Sequence, residues 1–130
     1  MRTILIFAIS LILSITGNSQ TLYCKKFKTG TFYYPGMSEK ISIRKDSIQE
    51  SYNNGKLEMI WKVNWINDCK YEMICDKILA NNFLIKKGDR IVATIINTDE
   101  NCYTASLIFY TAENPEGEML PGGSLCIKKY

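Results

Sequence analysis

The chain contains no histidine. This removes Ser-His-Asp and Cys-His nucleophilic catalysis, histidine-based zinc or iron sites and a histidine general base near neutral pH. Its five cysteines show no C-x-x-C spacing, which excludes a zinc ribbon and a thioredoxin-type redox motif. No phosphate-cradling glycine loop precedes a helix: Gly117 to Gly123 is glycine-rich but has no following lysine and helix, and reads as a structural turn. No cofactor motif, metal-ligand set or catalytic constellation is therefore expected. Internal repeats, low-complexity stretches and any apolar segment of membrane-spanning length are also missing, and helical periodicity is thin. Only Asp76 to Phe83 has room for one turn, and Asn81 and Asn82 break it.

What is present begins with an address. Arg2 is the only charge in MRTILIFAISLILSITGNSQ, and an apolar-rich run from Ile4 to Ile15 follows it. Thr16, Gly17, Asn18 and Ser19 close the stretch with small and polar residues, the pattern of a secretory signal peptide. The run is shorter than the roughly 20 residues a spanning helix needs. Gly17 and Ser19 fit a cleavage site after Ser19, so residues 1–19 are expected to leave and 20–130, 111 of the 130 residues, to form one domain. Tyr23 is too bulky to precede a lipidated cysteine at Cys24. Loss of Arg2 takes the formal charge from +3 to +2, weak for a nucleic-acid binder. The expected location is periplasmic or extracellular, without a membrane span after cleavage.

All five cysteines, Cys24, Cys69, Cys75, Cys102 and Cys126, fall after the leader, where an exported chain of this size usually carries disulfides. Two bridges drawn from five cysteines allow fifteen arrangements, so spacing leaves the pairing open. Cys24–Cys69 with Cys102–Cys126 is the arrangement adopted. Cys75 shares a face with Tyr71 and Met73, opposite Glu72 and Asp76, and is the candidate free thiol, a small buried hydrophobe.

Period-two alternation dominates the rest. Leu57, Met59, Trp61, Val63 and Trp65 share one face, and Asn53-Asn54-Gly55 before them carries a tight-hairpin signal. Further short strands are expected at Gly30–Tyr34, Ile41–Arg44, Ile48–Tyr52, Tyr71–Ile78, Arg90–Asn97, Cys102–Tyr110 and Leu125–Lys129, with Thr111 to Ser124 read as a loop. About eight strands divided by turns predict an all-β antiparallel meander closing into an up-and-down, lipocalin-like barrel, with a two-sheet sandwich as the alternative.

Asp46, Glu50, Glu58, Glu72 and Asp76 lie on or beside neighbouring strands and read as solvated positions. Glu50 is the exception: it shares a face with Ile48 and Tyr52, so it is expected to point inward and pair with Arg44 or Lys62. The lysines group as Lys25, Lys26 and Lys28, Lys86 and Lys87, and Lys128 and Lys129. Exposed Tyr33, Tyr34 and Tyr110 interleave with them in principle, but at this net charge solvated strand ends are the simpler reading.

Cys24, Phe27-Lys28-Thr29-Gly30-Thr31-Phe32, Ile43-Arg44, Gln49-Glu50, Val63-Asn64-Trp65, Asp68-Cys69-Lys70-Tyr71 and Gly88 occur in an order that resembles a group of small exported proteins of Bacteroidetes-type bacteria without an assigned function. Some of these carry the name DNA topoisomerase IV. The resemblance spans about residues 24 to 96, implies a lipocalin-like or similar small β-fold and brings no catalytic residues. An exported domain of 111 residues has no room for the ATPase, cleavage and metal-binding parts of a topoisomerase.

Two functions follow from the sequence. In the first, Met59, Trp61, Trp65 and Tyr71 point into the barrel and hold a small apolar or amphipathic ligand, since eight strands are just wide enough for one. In the second, the core is solid and the chain is a structural or protein-interaction module of the cell envelope. Neither is enzymatic.

Overall fold

The computed structural model describes residues 21–81 and 84–129; the expected signal peptide, residues 1–19, lies outside them. A 3-10 turn, Lys25–Phe27, precedes eight strands: β1 Gly30–Tyr34, β2 Met37–Arg44, β3 Ile48–Asn53, β4 Lys56–Asn67, β5 Lys70–Ile78, β6 Arg90–Thr98, β7 Cys102–Tyr110 and β8 Glu118–Ile127. Each pairs antiparallel with the next, and β8 returns to β1 through Phe32 opposite Ile127 and Tyr33 opposite Cys126. The expected barrel closes, and closure leaves no sheet edge to pair with other chains. No helix among the described residues is long and apolar enough to cross a membrane.

Turn chemistry sets the register. Pro35-Gly36 joins β1 to β2 with Gly36 at φ 82°, the positive angle a type II turn requires at its third position. Asn54-Gly55 joins β3 to β4 with both residues at positive φ, 50° and 74°, the type I′ geometry of tight hairpins. These two turns lie at one end of the barrel, together with the longer connections 79–89 and 111–117; this end is the mouth. At the other end the connections are short, 45–47, 68–69 and 99–101, and the turn Lys25–Phe27 crosses the opening.

Alternation puts Met59, Trp61 and Val63 of β4, Tyr71, Met73 and Cys75 of β5, Ile91, Ala93 and Ile95 of β6, and Tyr103 and Ala105 of β7 in one buried cluster with Phe27 and Phe32. Cys24 bonds to Cys69 and Cys102 to Cys126, and the Cys75 thiol is buried and unbridged. Burial pushes that thiol's pKa up, so it behaves as a small hydrophobe rather than a nucleophile.

The structure corrects three sequence expectations. The stretch 111–124 is not all loop, because β8 starts at Glu118. Leu107 pairs with Leu120 and Ala105 with Gly123, so Pro121-Gly122 bulges opposite Ser106, where a proline needs no ladder donor. A Cβ on Gly122 would sit 2.6 Å from the Ala105 carbonyl oxygen, so glycine is required at that approach. Glu50 does not point inward. Gln49 fills the inner position and Glu50 sits on the outer face, 2.9 Å from Lys45 Nζ and accepting from the Tyr52 hydroxyl. Tyr34 is not a surface tyrosine, for its hydroxyl lies 2.8 Å from Ser42 Oγ on the inner wall.

Candidate functional site

The closed end is built around Arg44, which is 1% exposed. As the last residue of β2, it points inward beneath the turn Lys25–Phe27. Its Nε donates to Gln49 Oε1 at 2.8 Å and its Nη1 to the Phe27 carbonyl at 2.8 Å. Its Nη2 donates to the hydroxyls of Tyr71 at 3.0 Å and Tyr103 at 2.7 Å, which lie 2.8 Å from each other. The guanidinium carbon sits 4.4 Å from the Tyr71 ring centroid, 4.9 Å from Phe32, 5.7 Å from Tyr103 and 5.8 Å from Trp65. Aromatic faces attract a cation, more strongly where water is excluded.

Among the described residues no carboxylate pairs with this cation. Burial disfavours its charge, but Tyr71 and Tyr103 outweigh that and hold its pKa above the ordinary value. Burial, reinforced by Tyr71, pushes the Tyr103 phenol well above its usual range. The centre is therefore a buried arginine hydrogen-bonded to Gln49, Tyr71, Tyr103 and the Phe27 carbonyl, with no carboxylate partner among the described residues.

Packing around it is dense. Phe27 and Phe32 lie 5.1 and 5.9 Å from the Tyr103 ring, and Trp65 lies 4.6 Å from Tyr71. Trp65 Nε1 is buried without an acceptor among the described residues. Outside this plug, Lys28 donates to Asp68 at 2.8 Å, Lys26 to the Glu100 carbonyl and the Tyr23 amide to Thr98 Oγ1. Leu22 to Lys26, Asp68 and Cys69 border an open groove of about 430 Å³ beside the first described residues.

At the mouth, Ile85 of the β5–β6 connection packs against the core between two clefts. One, about 220 Å³, is lined by Tyr34, Ser42 and Ser51 on one side and Met59, Trp61 and Ile85 on the other. Lys40 and Glu58 stand at its rim, 3.9 Å apart. The other cleft, about 290 Å³, is almost wholly apolar, with Leu84, Ile85, Ile91, Phe109 and Leu120 in its walls and Glu118 beside them.

The four sequence-derived ligand candidates divide between the ends. Met59 and Trp61, each 5% exposed, line the smaller mouth cleft. Trp65 and Tyr71 pack in the closed end around Arg44. Glu50, Glu58, Glu72 and Asp76 pair with Lys45, Lys40, Arg90 and Lys62, and Asp46 is exposed. The described residues contain no group of three or more acidic or cysteine side chains placed to hold a metal ion. Lys25, Lys26 and Lys28 lie at the closed end, as does Lys128, whose amide bonds to the Thr31 carbonyl; Lys86 and Lys87 are at the mouth.

Arg44 and Gln49 were missed as inner residues because their strands show isoleucines on the other face. The available signal was Tyr71 and Tyr103 on inward faces, whose buried hydroxyls require partners.

No protein-family model, curated protein or solved structure matches this chain.

Proposed function

We propose that the chain is an exported, non-enzymatic binding domain that takes a small apolar or amphipathic ligand at the barrel mouth. The observation that carries this reading is the contrast within one barrel: the closed half is filled by Arg44 and its aromatic neighbours, while an apolar cleft and a second cleft with one polar and one apolar wall flank Ile85 at the mouth. Ligand pockets are concave and mostly apolar, with a few polar groups that fix orientation, and barrel mouths are a common place for them. Two disulfides among the described residues support a life in an oxidising compartment. The resemblance of residues 24–96 to small exported proteins is proposed with it.

Native mass spectrometry of the exported protein tests the reading. An added mass that disappears on denaturation is the expected result. A bare chain that also takes up no offered amphiphile contradicts it. A second reading, a protein-interaction module of the envelope, draws on exposed Met37, Leu79, Leu84 and Met119, which stand at or beside the ends of strands and connections at the mouth. It predicts a specific complex that survives when the mouth clefts are blocked.

A further inference from the structure

The inner wall of the barrel is divided by strand. β4 to β7 present Met59, Trp61, Val63, Met73, Cys75, Ile91, Ala93, Ile95 and Ala105, with the Tyr71 and Tyr103 hydroxyls as their polar groups toward the closed end. β1 to β3 instead present Tyr34, Ser42, Arg44, Gln49 and Ser51 beside Phe32. The smaller mouth cleft lies on the seam between these walls, with hydroxyls of Tyr34, Ser42 and Ser51 facing Met59, Trp61 and Ile85.

Below the hydroxyls, two residues along β2 from Ser42, sits the buried charge of Arg44. Side chains at i and i+2 of a strand share a face, so the guanidinium lies on the wall that carries the Tyr34–Ser42 pair. Burial raises the Tyr34 pKa and Tyr71 adds to the rise, while the Ser42 hydrogen bond and, as the smallest contribution, the Arg44 charge pull against it. At the rim, Lys40 and Glu58 offset each other, and Arg44 lies beneath the cleft, outside its lining. A buried cation with no carboxylate partner favours an anion brought near it through a low-dielectric interior.

We propose that this cleft takes a single-chain amphipathic anion, with its head group against Tyr34, Ser42 and Ser51 and its chain along Met59, Trp61 and Ile85. The proposal rests on the binding reading above and specifies its ligand class. Tyr34 and Ser42 each have a hydroxyl able to donate to a carboxylate once their mutual bond at 2.8 Å opens. Arg44 keeps its four bonds and contributes through space, so it acts as a positioning charge rather than a contact.

The test is calorimetric titration of the purified, disulfide-bonded protein with decanoate and with decan-1-ol, which share a chain and differ in head-group charge. Decanoate is expected to bind about tenfold more tightly, the effect of charge-assisted hydrogen bonds from the Tyr34 and Ser42 hydroxyls to the carboxylate. A Tyr34→Phe, Ser42→Ala variant, which removes both hydroxyls and leaves the Arg44 bonds intact, is expected to lose most of that preference and keep its decan-1-ol affinity. Equal binding of the two ligands overturns the anion proposal and leaves the binding reading standing. Binding of neither overturns both. A Lys40→Gln variant that abolishes the preference while the double variant retains it assigns the selectivity to the rim and also overturns the proposal.

Discussion

At the closed end, Arg44, Gln49, Tyr71, Tyr103 and the Phe27 carbonyl satisfy one another, both disulfides bridge neighbouring elements, and connections run two or three residues. At the mouth the same strands end in the connections 79–89 and 111–117, with Leu84 84% and Met119 79% exposed and two clefts between the walls. One end is filled by its own side chains and the other keeps open clefts between its walls. In a barrel too small for a wide lumen, the packed interior and the open clefts are thus separated along the axis.

The largest effect that breaks this contrast is expected from Arg44→Ala. It leaves four buried acceptors without their donor and a hole among four aromatic rings. A loss of about 4 kcal/mol in urea unfolding free energy is expected. Next is the Cys24→Ala, Cys69→Ala pair. Opening a link across 45 residues is expected to cost about 3–4 kcal/mol in the same assay, with the bridge across 24 residues costing somewhat less, because the shorter loop constrains the unfolded chain less. At the mouth, Ile85→Ala is expected to cost only about 1 kcal/mol, since its side chain is half-buried and its site is open enough to relax. A larger loss there than at Arg44 would reverse the assignment of the two ends.

The smallest effect is in acid. Backbone amides of Asn101 and Cys102 hold the Asp99 carboxyl below its usual pKa, and Lys28 does the same for Asp68. A depressed carboxyl adds stability that is fully present above its unfolded value, about 4, and is lost as pH falls through the lower folded value. Both groups sit in closed-end turns. Asp99→Asn is therefore expected to flatten the decline in melting temperature below about pH 4 and to leave the slope above about pH 5 unchanged.

Much of the frame was legible. Asn54-Gly55 marked its hairpin because few sequences tolerate two positive φ values in succession. Met59, Trp61 and Val63 declared one face of β4, and Tyr71, Met73 and Cys75 one face of β5, because large apolar residues fill that face while the other is mostly polar apart from Ile60, Ile66 and Ile74. On β2 and β3 the same rule pointed the wrong way. Ile41, Ile43 and Ile48 face outward, half-buried, while Ser42, Arg44 and Gln49 turn in. Alternation identifies two faces, but it names the inner one only if that face is apolar. The start of β8 was hidden for another reason: Pro121, Gly122 and Gly123 signal a loop unless a bulge in the partner register absorbs them. Arg44 became recognisable only when five other strands and the N-terminal turn were brought together around it.

The two tryptophans offer the most direct test of the division between the ends, because Trp61 lines a mouth cleft and Trp65 packs against Tyr71 in the closed half. Their indole N–H signals should be followed by heteronuclear NMR as decanoate is added to the folded protein. The account predicts a saturable shift of the Trp61 indole, with the Trp65 indole and the Tyr71 and Tyr103 amides staying in place. A shift led by Trp65 and Tyr71, or no saturable shift at either indole, would contradict it.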